Sequence, residues 1–149
     1  MFASCPYTAV STGWQKGKGW MANSKIRRVY LAGPLTPRGI KSTNAAVEYL
    51  LNVRDMAKAA VDLILRGYAP FCPALDGLLF LVQGEGQRIT EPQIKRFSKD
   101  WLEACDAMLL IEGWQTSLGT AKEIEFAMAK GIPVFKSLQE LEDFQKEGK

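Results

Sequence analysis

Apolar residues in this chain fall into short unbroken runs, separated by longer stretches where they recur every three or four positions. The run Val29-Tyr30-Leu31-Ala32, stopped by Gly33-Pro34, predicts a buried strand over 29–32 that enters a loop. Over 44–66, Val47, Leu50, Met56, Ala60 and Ile64 keep helical spacing up to Gly67, which predicts one long helix. Residues 68–72 form a second apolar run, ended by Pro73. The stretch 74–90 is ambiguous: 78–82 is apolar, and a turn-like Gly84-Glu85-Gly86 follows. Glu91-Pro92 opens another helix, with Ile94, Phe97, Trp101, Leu102 and Cys105 on its apolar face. Residues 107–111 predict a third strand and 113–119 a loop. A helix over 120–130 is closed by Gly131, and a fourth strand covers 132–135. The Ser137-x-x-Glu140 pattern caps a last helix over 137–145.

Strands that alternate with helices need crossover connections, and these give a parallel sheet covered on both faces. None of the strands shows the alternation of a half-exposed strand. The predicted fold is therefore α/β: a single domain built on a small doubly wound parallel sheet. Ligands in such sheets sit beyond the carboxyl ends of the strands. The site is expected from the loops 33–43, 73–90 and 112–119 and the first turns of the helices that follow.

Composition narrows the chemistry. With 47% apolar and 23% charged residues over 149 positions, the chain is an ordinary globular domain that can fold without a metal or disulfide. No apolar run approaches the ~20 residues that span a bilayer. The net charge of +3 is uneven: residues 1–28 hold five basic residues and no acid, while the rest holds fourteen basic and sixteen acidic residues. Residues 1–27 read as a flexible basic extension without the apolar core of a signal peptide, and 28–149 as the domain. A nucleic-acid-binding arm is the alternative reading of the extension, but the slightly acidic body carries no basic footprint, so no nucleic-acid or membrane partner is expected. Cys5, Cys72 and Cys105 are odd in number and far apart, and read as thiols in a reducing cytoplasm. There is no His and no CxxC, so neither a zinc site nor a His-activated nucleophile is expected, and acid–base work falls to carboxylates, Tyr, Lys or Cys.

The segment 112–123 links a buried strand to a helix start. Ser117, Gly119 and Thr120 offer hydroxyls and approachable N–H groups at a helix N-terminus, where an anion such as phosphate is favoured. Neither a P-loop nor GxGxxG is present. Glu123 has two readings: the far half of a Thr120-x-x-Glu123 capping box, or a carboxylate aimed into the cleft. Asp100 is either a solvated helix residue or a second cleft carboxylate. Asp76 is a cap or a ligand group in a site loop, and Asp106 a turn residue. Tyr30 fills the core or orients a carboxylate with its hydroxyl. Two carboxylates over one cleft suit acid-assisted cleavage of a glycosidic bond, and a separation of about 5 Å would mean a covalent glycosyl intermediate. Such chemistry needs no cofactor and no metal.

Tyr30-Leu31-Ala32-Gly33-Pro34, Asp100 before Ala104-Cys105-Asp106, and Ser117-Leu118-Gly119-Thr120-Ala121-x-Glu123 followed by Gly131-Ile132-Pro133-Val134 resemble the nucleoside 2-deoxyribosyltransferase family in the same order. That family includes 2′-deoxynucleoside 5′-monophosphate N-glycosidases. The resemblance covers residues 28–136. It implies a flavodoxin-like fold, a homo-oligomer and a small-molecule nucleotide or nucleoside as substrate. It also implies Glu123 as nucleophile, Asp100 as the carboxylate assisting departure of the base, and Tyr30 as the group orienting Glu123. Ser117 stands where the transferases carry Asp. Asp would repel a phosphate and Ser can donate to one, which points to a 5′-monophosphate. Gly33, Pro34, Asp76, Gly119 and Thr120 are expected to line the substrate, with Arg38 and Lys41 as phosphate partners or solvated loop residues. Where the family often has Gly two residues after the nucleophile, this chain has Glu125, which either crowds the site or faces solvent.

The expected activity is cleavage or transfer at an N-glycosidic bond of a (deoxy)nucleoside 5′-monophosphate. The alternatives are a nucleotide-binding module of the same fold and a transferase acting on free nucleosides. Phosphoribohydrolases of the cytokinin-activating type share the Gly-Thr-x-x-Glu ending, but their preceding Pro-Gly-Gly is Gln115-Thr116-Ser117 here.

Overall fold

A computed structural model describes residues 25–148. The strands are β1 (Arg28–Ala32), β2 (Ala69–Phe71), β3 (Ala107–Leu110) and β4 (Val134–Phe135). The helices are α1 (Ala45–Leu65), α2 (Gly77–Leu81), α3 (Glu91–Ala104), α4 (Leu118–Ala129) and α5 (Leu138–Glu147). All strand pairs are parallel, in the order β2-β1-β3-β4. This is the expected flavodoxin-like doubly wound α/β domain.

Alternate residues of each central strand feed opposite layers. Val29, Leu31, Ala107 and Leu109 pack with Met56 and Leu63 of α1 and Leu141 of α5. Tyr30, Ala32, Met108 and Leu110 pack with Leu102 of α3 and with Ile124 and Ala127 of α4. Strands buried on both faces explain the continuous apolar runs. β4 is shorter than expected: Pro133 has no N–H for a ladder, and its carbonyl accepts the Met108 N–H at 2.8 Å. The ambiguous stretch resolves into a 3-10 turn (Pro73–Asp76) and the short α2, whose Leu78 and Leu81 are exposed, as is Val82 just after it.

The domain starts earlier than residue 28. Ile26 is 1% exposed within the core, and Arg27 supplies its carbonyl to Ala69 and its N–H to Asp106. Apolar burial and a side-chain tie place both residues in the folded unit. Residues 1–24 of the expected extension, including Cys5, lie outside the described residues. Asp106 is the expected turn residue: it accepts the Arg27 and Arg28 N–H groups and pairs with the Arg28 guanidinium at 2.6 Å.

Strand order reverses between β1 and β3, so a crevice is expected beyond their carboxyl ends. The two ends meet closely there. A Cβ on Gly33 would lie 2.7 Å from Ile111 Cβ, and Pro34 packs against Gly113, which holds φ +83°. Gly33 is thus required by packing, and Gly113 by its left-handed backbone.

Candidate active site

α4 begins at Leu118, with Ser117 rather than Thr120 as its N-cap; Ser117 Oγ accepts the Thr120 N–H at 3.2 Å. This overturns the capping-box reading of Glu123. With the cap moved back one turn, Glu123 falls in the second turn of the helix, beyond the orphan N–H groups of its start. Its carboxylate turns to the sheet instead, and Oε1 accepts a 2.8 Å hydrogen bond from the Tyr30 hydroxyl.

Tyr30 is fully buried and Glu123 is half-buried. Burial raises the Glu123 carboxyl to about 7, although the Tyr30 hydrogen bond pulls the other way. The phenol is pushed well above its ordinary value by burial first, then by the charge of Glu123 and the bond to it. Ser98, on α3, interacts with the same phenol and opposes that rise, and the charge of Asp76 adds to it. The Tyr30 phenol from β1 thus meets Glu123 from α4 and Ser98 from α3, and Asp76 from the turn after β2 lies within electrostatic reach of it.

Asp100 does not join them. Its side chain is 68% exposed and lies 3.7 Å from Arg96, one helical turn back. At 3.6 residues per turn, Asp100 sits about 200° around α3 from Ser98, the residue that faces the phenol. Packing of Leu102 and the aromatic residues onto the sheet sets that rotation, so the carboxylate expected in the cleft points to solvent. Ser98 is the residue that sequence reasoning missed. Its signal was its position four residues before Leu102 on the apolar face.

Asp76 does not cap α2, because its side chain makes no cap hydrogen bond. It is half-buried; its Oδ2 is enclosed without a hydrogen-bond partner, and desolvation raises the carboxyl to about 6. Beside Tyr30 the aromatic residues form a stack. Phe71 lies 5.5 Å from Tyr30 and 5.2 Å from Trp101, near-parallel to both, and Phe97 meets Trp101 edge-on. Phe97 and Trp101 remain 37% and 47% exposed, so this apolar face of α3 is only partly covered by the core.

At the start of α4, Ser117 and Gly119 face outward, whereas Thr120 is 1% exposed, with its N–H committed to Ser117 and its Oγ1 unpartnered inside the protein. Thr120 is thus not the surface hydroxyl expected of it. The Leu118 and Gly119 N–H groups lack intrahelical partners and are open to an anion. A second missed residue is Glu48, 2% exposed, whose carboxylate accepts the N–H groups of Arg38, Gly39, Ile40 and Lys41 at 2.6–3.0 Å. The Lys41 bond first, then those of its neighbours, hold its pKa below the ordinary value. This clasp fixes the loop beyond β1 and leaves the exposed Arg38 guanidinium without a carboxylate partner among the described residues. Lys41 is engaged by Asp55 at 2.8 Å. Glu125 is exposed on α4 and does not crowd the site.

Cys72 and Cys105 are buried free thiols. Among the described residues no cluster of three or more His, Cys, Asp or Glu side chains could hold a metal ion, and no helix is long and apolar enough to cross a membrane. A family model described as a domain of unknown function (DUF1937) matches residues 27–138. No curated protein matches the chain.

Proposed function

The chain belongs to this DUF1937 family, whose description assigns no reaction, and from the geometry of the site we propose that it cleaves the N-glycosidic bond of a (deoxy)nucleoside 5′-monophosphate. The observation that carries the proposal is the 2.8 Å bond from Tyr30 to Glu123 Oε1 at the switch point of the sheet. It fixes one carboxylate oxygen and leaves Oε2 to attack the anomeric carbon, forming a glycosyl ester. Water then completes hydrolysis, or a second base completes transfer. The exposed edge of the Phe97–Trp101 pair suits stacking of a base, an interaction worth about 1–3 kcal/mol. Ser117, the open N–H groups of α4 and Arg38 suit the 5′-phosphate. The resemblance to the nucleoside 2-deoxyribosyltransferases supports the same chemistry. Free thiols fit a cytoplasmic enzyme. A second copy of the chain covers the exposed Leu78, Leu81 and Val82, which light scattering would report as a dimer or larger.

The test is chromatographic. The protein is incubated with each deoxyribo- and ribonucleoside monophosphate and each matching nucleoside, and free base is assayed, with Glu123→Ala as control. Base released from a monophosphate by the native protein alone supports the proposal. Release from nucleosides only when a second base is added makes the protein a transferase. Nucleotide binding without release makes it a binding module.

A further inference from the structure

Resting on that reading, we infer that Asp76, and not a carboxylate of α3, gives the proton to the departing base. A neutral carboxylic acid near the leaving group is the requirement, since the base nitrogen takes up the electron pair of the broken bond. The α3 position that faces the Tyr30 phenol is Ser98, a hydroxyl that cannot serve as that acid at neutral pH. Asp100, the carboxylate nearest it in sequence, lies on the opposite side of the helix, exposed and beside Arg96. Asp76 has the reverse surroundings. Its Oδ2 is enclosed and unpartnered, no cation among the described residues pairs with it, and its charge reaches the Tyr30 phenol. An enclosed oxygen without a partner shifts the carboxyl toward protonation. Because Glu123 is raised further, to about 7, the reactive form is the one in which the single proton sits on Asp76 and Glu123 is ionised. A base on the Phe97–Trp101 pair would bring the missing partner.

The steps balance. Glu123 Oε2 bonds to the anomeric carbon as the carbon–nitrogen bond breaks; the electron pair passes to the base, and the Asp76 proton neutralises it. In the second half, the Asp76 carboxylate takes a proton from water. The water oxygen bonds to the anomeric carbon, and the ester bond to Glu123 breaks, which restores both carboxyl groups. One water is consumed, and no other reactant is needed.

The leaving group provides the test. The native protein, Asp76→Asn, Asp76→Ala and Asp100→Asn are compared on a nucleoside monophosphate and on 4-nitrophenyl 2-deoxyriboside 5-phosphate, whose phenolate departs without a proton. Both Asp76 variants should lose about 10²–10⁴-fold in kcat on the nucleotide and less than about tenfold on the nitrophenyl substrate, with Asp100→Asn unchanged on both. Equal losses on the two substrates in the Asp76 variants, or a selective loss in Asp100→Asn, would overturn the assignment and leave the Glu123 reading standing. Native protein that releases neither base nor nitrophenolate would overturn both. A misfolded variant would be recognised by its melting curve, and two Asp76 substitutions guard against that outcome in either one.

Discussion

Replacing Glu123 by Gln isolates the cost of holding a carboxylate at the centre of this site. The new side chain is near-isosteric, and its oxygen can still accept the Tyr30 hydroxyl at the 2.8 Å seen with Glu. In the folded protein burial raises the carboxyl from its ordinary 4.5 to about 7. The folded state therefore resists ionisation that the unfolded chain undergoes freely. Below pH 4.5 both states are protonated and Glu123 carries no penalty. As pH rises through 7 the penalty grows to its full value, about 3 kcal/mol at about 1.4 kcal/mol per pH unit. The Glu123→Gln variant has no such dependence. Any fixed cost of its extra amide donor is the same at every pH, and the other titrating groups, Asp76 included, cancel in the comparison. Urea melts of both proteins at pH 4, 5, 6, 7 and 8 should show the stability of the variant minus that of the native protein increasing by about 3 kcal/mol across the range. For a domain of this size that is about 10 °C in Tm. A difference flat to within about 0.5 kcal/mol, or one that shrinks with pH, would refute the picture of a desolvated Glu123.

Tyr30→Phe removes the only described donor to Glu123, so the Glu123 carboxyl should titrate above 7, as read by carbon NMR of the labelled side chain, with kcat lower by about 10–100-fold. Gly33→Ala drives a Cβ to 2.7 Å from Ile111 Cβ, an atom next to the backbone that cannot swing aside, and should cost about 1–3 kcal/mol in a urea melt. Glu48→Gln takes away the charge on which four N–H groups converge, so amide exchange at residues 38–41 should accelerate at least about tenfold while α4 keeps its protection.

The patterning of this chain by itself determines a parallel, doubly wound sheet. Runs such as Ala107-Met108-Leu109-Leu110 are apolar at every position because both faces of the strand are covered, and no half-exposed strand tolerates that. The same alternation of elements places the carboxyl ends of the strands, and hence Tyr30, Asp76 and Glu123, at one end of the molecule. What patterning leaves open is helical phase. Ser117-x-x-Thr120 and Thr120-x-x-Glu123 are both plausible starts for one helix. The choice is made by the turn after β3 and the burial of Thr120, and it decides whether Glu123 serves the backbone or meets Tyr30. Ser98 and Asp100 are two residues apart on α3, and only the docking of Leu102, Phe97 and Trp101 against the sheet turns the serine inward and the carboxylate to water. Asp76 shows the third limit: its type was legible, but its protonation depends on an enclosure that long-range packing builds. Local sequence specifies which elements form and which end carries chemistry. Which side of each helix reaches the cleft, and in what charge state, is set by contacts between elements far apart in the chain.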